Sequence, residues 1–364
     1  MDYFLAFSYF KKIGFSSVKK GIEFCGTIES FYNADRKILQ RILKQTVVDE
    51  FVDFRTSFDI QKITEKLHEK NIITISYNDS QFPESLKNIG DPPLALFIKG
   101  NPECLLKGLN IAVVGTRKVS AYGRQVTTFF SSQLAKNGAT IVSGMAFGVD
   151  TVAHEGCLEG GGKTIAVLGS GVDIIYPPRN RLLYHRILER GGAIVSELPP
   201  GCMPKPFTFV LRNRIIAGLS RGVLVVEGGL SSGSMITATY AIEQGRDVFA
   251  VPMPILSPMS AGPNSLLKQG GKLVLDPEDI LSEYGISKNE QLNSITNTLN
   301  RNESLIYLSL QEEISDIATL IYKTRLPVQK LLPILSEMEI KGIILKNREG
   351  RYEAVISSRS VSAV

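Results

Sequence analysis

The feature that most limits the fold of this chain is a series of seven short apolar runs beginning at residue 111. They are IAVVG (111–115), TIVSG (140–144), TIAVLG (164–169), AIVSE (193–197), VLVVEGG (223–229), VFAVP (248–252) and KLVLD (272–276). Each is rich in β-branched residues and shows almost no polar alternation, as strands covered on both faces require. Longer amphipathic segments stand between them, among them YGRQVTTFFSSQLAKNG, VDTVAHEGCLEGG and GSMITATYAIEQG. The first and last of these close at glycine, the residue that helix C-termini favour. A strand, helix, strand repeat of this kind requires crossover helices on both faces of a parallel sheet. The expectation is a doubly wound α/β domain whose ligands gather beyond the carboxyl ends of the strands.

The flanks read differently. Residues 1–75 form a helical module in which Gly14 breaks FKKIGFSSVKK into two short helices, as in a helix-hairpin-helix, and the sheet domain is placed at 76–286. The module is read as a packing element rather than a direct DNA contact. Residues 287–302 are polar and asparagine-rich, the composition of a linker. Residues 303–356 follow the order of a winged helix: ESLIYLSL, SDIATLIYKT and PVQKLLPILSEMEIKG as helices, then a hairpin turning at NREG, with 357–364 as a tail. In its third helix Lys330 and Lys341 are offset by Glu337 and Glu339, so contact with protein is at least as good a reading as insertion into a DNA groove.

Several function classes fall away. No stretch approaches the roughly 18 apolar residues of a membrane span, and the first basic charges follow rather than precede the N-terminal apolar run, so a cytoplasmic protein is expected. Cys25, Cys104, Cys157, Cys202, His68, His154 and His185 are too scattered for a disulfide framework or a metal site. GGGKT (160–164) imitates a phosphate-binding loop, but Cys157 occupies the position of its first glycine and Lys163–Thr164 runs into a strand instead of a helix. No GxGxxG follows a strand, which argues against NAD, and no cofactor is expected.

What does stand at the strand ends is a set of turns combining glycine with small hydroxyls: GTRKVSAYG, SGMAFGVD, GSGVDIIYPPRNR and EGGLSSGSMITA. Singly each is ordinary tight-turn chemistry. Together on one sheet edge, amides such as those of Gly115, Thr116, Gly233 and Ser234 suit phosphate oxygens. The net charge is only +5, but residues 179–221 alone hold 8 basic against 2 acidic side chains. That stretch contains PKPFTFVLRNRIIAGLSRG (204–222), in which Lys205, Arg212, Arg214 and Arg221 accompany Phe207 and Phe209. Pro204 and Pro206 are expected to keep its start out of helix, and in an extended chain the two rings share a face. Cations along a backbone with aromatic faces for bases are how single strands are held without sequence readout. The bland reading buries both rings and spends the arginines on ion pairs.

With these residues in view, the chain resembles the bacterial DNA processing protein A (DprA, or Smf) family. VVGTRKVSAYG, VSGMAFGVDTVAHEG, TIAVLGSGVDIIYPPRNR, SELPPG, RNRIIAGLS, VLVVEGGLSSGSMITATYAIEQGRDVFAVP and PEDIL follow in family order over about residues 70 to 283. The resemblance implies a Rossmann-like core that binds single-stranded DNA, forms a homodimer and loads the RecA recombinase onto incoming strands during natural transformation, with no catalytic reaction. It implies a pocket made by Arg117, Lys205, Phe209, Arg212, Asn213 and Arg214, to which Gly115, Thr116, Phe207, Gly233 and Ser234 are added. The family's usual N-F-P is here Thr208–Phe209–Val210, one usual arginine is Leu211, and another is Phe147. The rival class is a Rossmann-like nucleotide hydrolase of the lysine-decarboxylase-like type. It needs a carboxylate early on the helix after EGGLSSGS, where this chain has Thr237 and Ala238 and reaches an acid only at Glu243. A purely structural adaptor is the third reading.

Overall fold

A computed structural model describes residues 2–286, 299–341, 343–347 and 350–354. The chain divides into two compact units, Met1–Pro277 and Glu278–Val364. Among the described residues of the first, nine strands join one sheet in the order β1-β2-β6-β5-β4-β3-β7-β8-β9. The seven apolar runs supply β3 (Asn110–Val114), β4 (Thr140–Ser143), β5 (Thr164–Val167), β6 (Ala193–Ser196), β7 (Gly222–Val225), β8 (Asp247–Ala250) and β9 (Lys272–Leu273). From β6 through β9 every pairing is parallel, and β3 to β7 are buried along their whole length. The architecture is the mostly parallel, doubly wound, Rossmann-like sheet that the runs predict.

Two strands were not anticipated. β1 (Ile73–Ser76) and β2 (Ala95–Gly100) extend the sheet antiparallel beyond β6. Antiparallel edge strands need no crossover helix, so they fall outside the strand and helix alternation that reveals the others. The boundary read at 75/76 therefore cuts through β1. Nor do the N-terminal helices stand apart from the sheet. Phe7 stacks 5.3 Å from both Phe31 and Phe51 in an aromatic core, while Leu5 packs with Phe97 of β2 and the Tyr9 ring meets Phe97 edge-on at 5.8 Å.

A second difference lies in the segment that carries most of the candidate site. Residues Pro206–Leu219 are α-helical. Pro206 occupies the first turn, where its missing N–H has no partner to lose and its fixed φ already suits the helix. Lys205 is the N-cap, its backbone N–H donating to Thr208 Oγ1 at 3.0 Å.

The helix Val149–Glu159 buries His154 completely. The Thr164 hydroxyl donates to the Ile141 carbonyl at 2.7 Å, so at the 2.7 Å contact of His154 Nδ1 with Thr164 Oγ1 the ring nitrogen is the donor. His154 Nε2 is left without a partner among the described residues. Burial, aided by the Arg212 charge, lowers its pKa to about 3, so the ring is folded neutral. Its folded value lies below the unfolded value near 6.5. The associated stability is complete above that value and drains away as the pH falls towards the folded pKa. Urea unfolding at pH 7.5 and 5 should show the parent weakened by about 2 kcal/mol at the lower pH through this group. A His154→Leu protein should lose that component.

The second unit contains the helices Arg301–Glu312, Ile317–Thr324 and Val328–Ile340, followed by β10 (Ile344–Lys346) paired antiparallel with β11 (Tyr352–Ala354). They enclose Leu310, Leu320, Leu331, Leu335 and Met338. Residues 287–298 of the linker, the tail at 357–364 and part of the NREG turn lie outside the described residues. No helix among the described residues is long and apolar enough to cross a membrane.

Candidate nucleic-acid interface

Strand order in the sheet reverses between β3 and β7: β4, β5 and β6 follow on one side of β3, β8 and β9 on the far side of β7. Doubly wound sheets bind their ligands in the crevice this reversal opens. A cleft of about 330 Å³ lies there, lined by Gly115–Arg117 after β3, by Ser232–Ser234 after β7, and by Phe209, Arg212 and Asn213 of the helix Pro206–Leu219.

The loop that carries Arg117 is held at both ends by one residue. Thr116 N–H donates to the Glu227 carbonyl oxygen at 2.6 Å and Ser120 N–H to Glu227 Oε2 at 2.9 Å. Glycine is obligatory at 115, since a Cβ there would sit 2.5 Å from Val149 Cγ2 and 2.8 Å from the Glu227 carbonyl oxygen. Thr116 in turn accepts the Val149 amide at 3.1 Å, bringing in the helix Val149–Glu159. Arg117 itself is exposed, and its guanidinium lies over the Phe209 ring, 5.4 Å from the centroid. Phe209 is half-buried, and its ring lies 5.5 Å from that of Tyr176. On the far wall Asn213 Nδ2 donates to Gly233 O at 3.2 Å, and Ser232 and Ser234 share a hydroxyl–hydroxyl hydrogen bond.

The helical period sorts the candidate residues onto two faces. Phe209, Asn213 and Ile216, spaced four and three apart, face the cleft. Phe207, Leu211 and Arg214, with the same spacing, face a different recess shared with Lys205 and the N-terminal residues Phe7, Lys11 and Phe15. The grouping of Lys205, Phe207 and Arg214 with Arg117 is therefore corrected: residues 207 and 209 would share a face on a strand, but are about 200° apart on a helix.

The two arginines of RNR are structural anchors. Arg212 is 4% exposed; Nη1 donates to the Val167 carbonyl and Nη2 lies 3.9 Å from Asp150 Oδ2. Burial pulls its pKa down to about 10, Asp150 opposing and Arg117 adding to the shift. Burial raises the Asp150 pKa, against Arg212 and the amides of Ala146 and Gly144. Gly144 makes room for this pair, since a Cβ there would fall 1.8 Å from Arg212 Nη1. Arg212 still forms part of the cleft floor, whereas Arg214 is withdrawn from it. Arg214 Nη2 donates to Glu197 at 2.5 Å and Nε to Asp91 at 3.3 Å. Burial disfavours the Arg214 charge, and these carboxylates more than offset it, raising its pKa. Arg214→Ala leaves Glu197 without its cation and should lower stability by about 2 kcal/mol in urea unfolding, because Asp91 is well exposed and screens its share.

Glu227, Asp150 and Tyr176 were not singled out beforehand. A lone carboxylate closing the apolar run VLVVEGG was the available signal for Glu227; for Asp150 and Tyr176, nothing local points to their partners.

The fold and cleft define a Rossmann-like α/β protein with an aromatic and cationic site at its topological switch point. A family model described as DNA recombination-mediator protein A matches residues 73–285. The Smf protein of Escherichia coli (strain K12) is 37% identical over 341 residues, covering 87% of this chain and 91% of that protein. DNA processing protein DprA of Bacillus subtilis is 42% identical over 224 residues, 62% of this chain and 75% of that one. The crystal structure of DNA processing protein A from Streptococcus pneumoniae matches with a TM-score of 0.68 at 35% identity, covering 78% of this chain and 98% of that chain. A solved structure of DNA processing protein A from Helicobacter pylori, described for its single-stranded DNA binding mode, matches with a TM-score of 0.53 at 32% identity, covering 58% of this chain and 95% of that chain. The chain belongs to the DNA recombination-mediator protein A family, whose members include DprA and Smf.

Proposed function

We propose that this protein binds single-stranded DNA in the switch-point cleft and, as a cytoplasmic homodimer, delivers the strand to the RecA recombinase during DNA uptake, without a catalytic step of its own. The observation that carries the reading is the exposed Arg117 guanidinium set over Phe209 at the mouth of a glycine-turn cleft. A cation for phosphate beside an aromatic face for a base is what an unpaired strand requires. The single-stranded DNA binding mode of the Helicobacter pylori relative supports the same assignment. The C-terminal unit is read as a winged helix serving protein contact.

Mobility shifts with single- and double-stranded oligonucleotides at two salt concentrations test the reading. Preference for the single strand is expected, with a slope of log affinity against log salt of roughly −3 for about four phosphate contacts. Equal affinity for duplex, or no binding, overturns it. Delivery is tested by following RecA's strand-dependent ATP hydrolysis on DNA already coated by a single-strand-binding protein, which the chain should accelerate. The hydrolase reading finds little support: Asp150 is engaged by Arg212 and two amides, and the helix Gly233–Glu243 offers no acid before its last residue. Incubation with nucleoside monophosphates should release no free base.

A further inference from the structure

Beside the cleft lies a row of arginines that the site does not use. Arg186 and Arg190, four apart, stand on one face at the end of the helix Arg181–Glu189, and Arg179 lies in the turn Pro178–Asn180 that leads into it. All three are exposed, and so is Arg181 on a different face of the helix. No ion pair or side-chain hydrogen bond ties any of the four among the described residues. Leu182, four residues before Arg186, lies on the same side of the helix and is 80% exposed.

One ring links the start of the row to the cleft. Three residues before Arg179, the ring of Tyr176 is 44% exposed and tilted at 36° to the Phe209 ring that Arg117 covers. Arg117, Phe209 and Tyr176 are thus neighbours in turn at the edge of the crevice, and Arg179 follows Tyr176 three residues on in the chain. The helix carries the row about 14 Å further, to Arg190, at the helical rise. Guanidinium groups with apolar surface between them fit a polynucleotide whose phosphates and unpaired bases both need partners.

We propose that this row is a second stretch of the single-strand track, holding the sugar-phosphate backbone of the strand after it leaves the cleft past Tyr176. The proposal rests on the reading that the cleft binds single-stranded DNA.

The experiment compares the parent with the triple variant Arg179→Gln, Arg186→Gln and Arg190→Gln. Two oligothymidylates are titrated by fluorescence anisotropy over a range of salt, one just long enough to fill the cleft and one several times longer. Affinity for the long strand should fall about tenfold or more at low salt, and its salt slope should shrink by about 2, for three contacts at about 0.7 each. Affinity for the short strand should stay within about twofold, with the melting temperature unchanged. If affinity and slope for the long strand are those of the parent, the row serves some other partner and the proposal fails. It fails also if both strands weaken equally, since the row then acts on the cleft itself. A parent that binds neither strand, or an Arg117→Ala protein that binds the short strand undiminished, overturns the cleft reading instead.

Discussion

Replacing Arg212 by methionine should destabilise the protein by about 3–5 kcal/mol, the largest effect expected of any single change considered. Methionine keeps much of the side-chain volume, so the loss is electrostatic and hydrogen-bonding in origin. Asp150, itself buried, would retain the Gly144 and Ala146 amides but lose the cation that faces it, and the Val167 carbonyl would lose its donor. Removing one partner of a buried pair exposes the full desolvation cost of the other. Adding Asp150→Asn should recover a large part of the loss, because the two sites are coupled and the stranded charge is gone. Urea unfolding followed by circular dichroism reads both effects. A change below about 0.5 kcal/mol would mean that Arg212 is held loosely enough to serve a ligand, contrary to the anchoring role assigned to it.

Arg117→Ala is expected to behave in the opposite way. The side chain is exposed and makes no ion pair among the described residues, so stability should change little, whereas affinity for single-stranded DNA should fall about 10- to 100-fold. The salt slope should shrink by about 0.7 for the lost phosphate contact. Phe209→Ala should cost about 1–3 kcal/mol of binding for one stacked base, with a weaker effect on the slope. Because the guanidinium rests on that ring, the double variant should lose less than the two single losses added together. Fluorescence titration at fixed salt, paired with thermal melts, separates these losses from unfolding.

These contrasts mark how far the sequence could be read. Strands β3 to β7 are legible because a strand covered on both faces must be apolar throughout, and short runs such as IAVVG and TIAVLG, bounded by glycine and rich in β-branched residues, fit that pattern. The glycine turns at their carboxyl ends located the crevice for the same reason. The helix Pro206–Leu219 was misread because proline breaks a helix interior yet is at home in the first turn, and only the tertiary setting decides which applies. That one error rotated the candidate site, placing Phe207 beside Phe209 and Arg214 beside Arg117. The burial of the RNR arginines is not legible, because a string of letters shows charge and not burial. Their partners are remote: Asp91 is 123 residues from Arg214, and the Val167 carbonyl is 45 from Arg212. Arg117 differs from them in being exposed on its glycine turn, with no ion pair among the described residues.

The central claim is that an unpaired strand passes over the Arg117–Phe209 pair at the switch point of the sheet. Photocrosslinking with an oligonucleotide carrying 5-iodouracil, followed by mass spectrometry of the tryptic peptides, tests it most directly, since this base couples to aromatic rings stacked on it. Adducts on Phe209, with Tyr176 as the second position, are the expected result. Adducts confined to residues of the C-terminal unit, with none in the helix Pro206–Leu219, would contradict it.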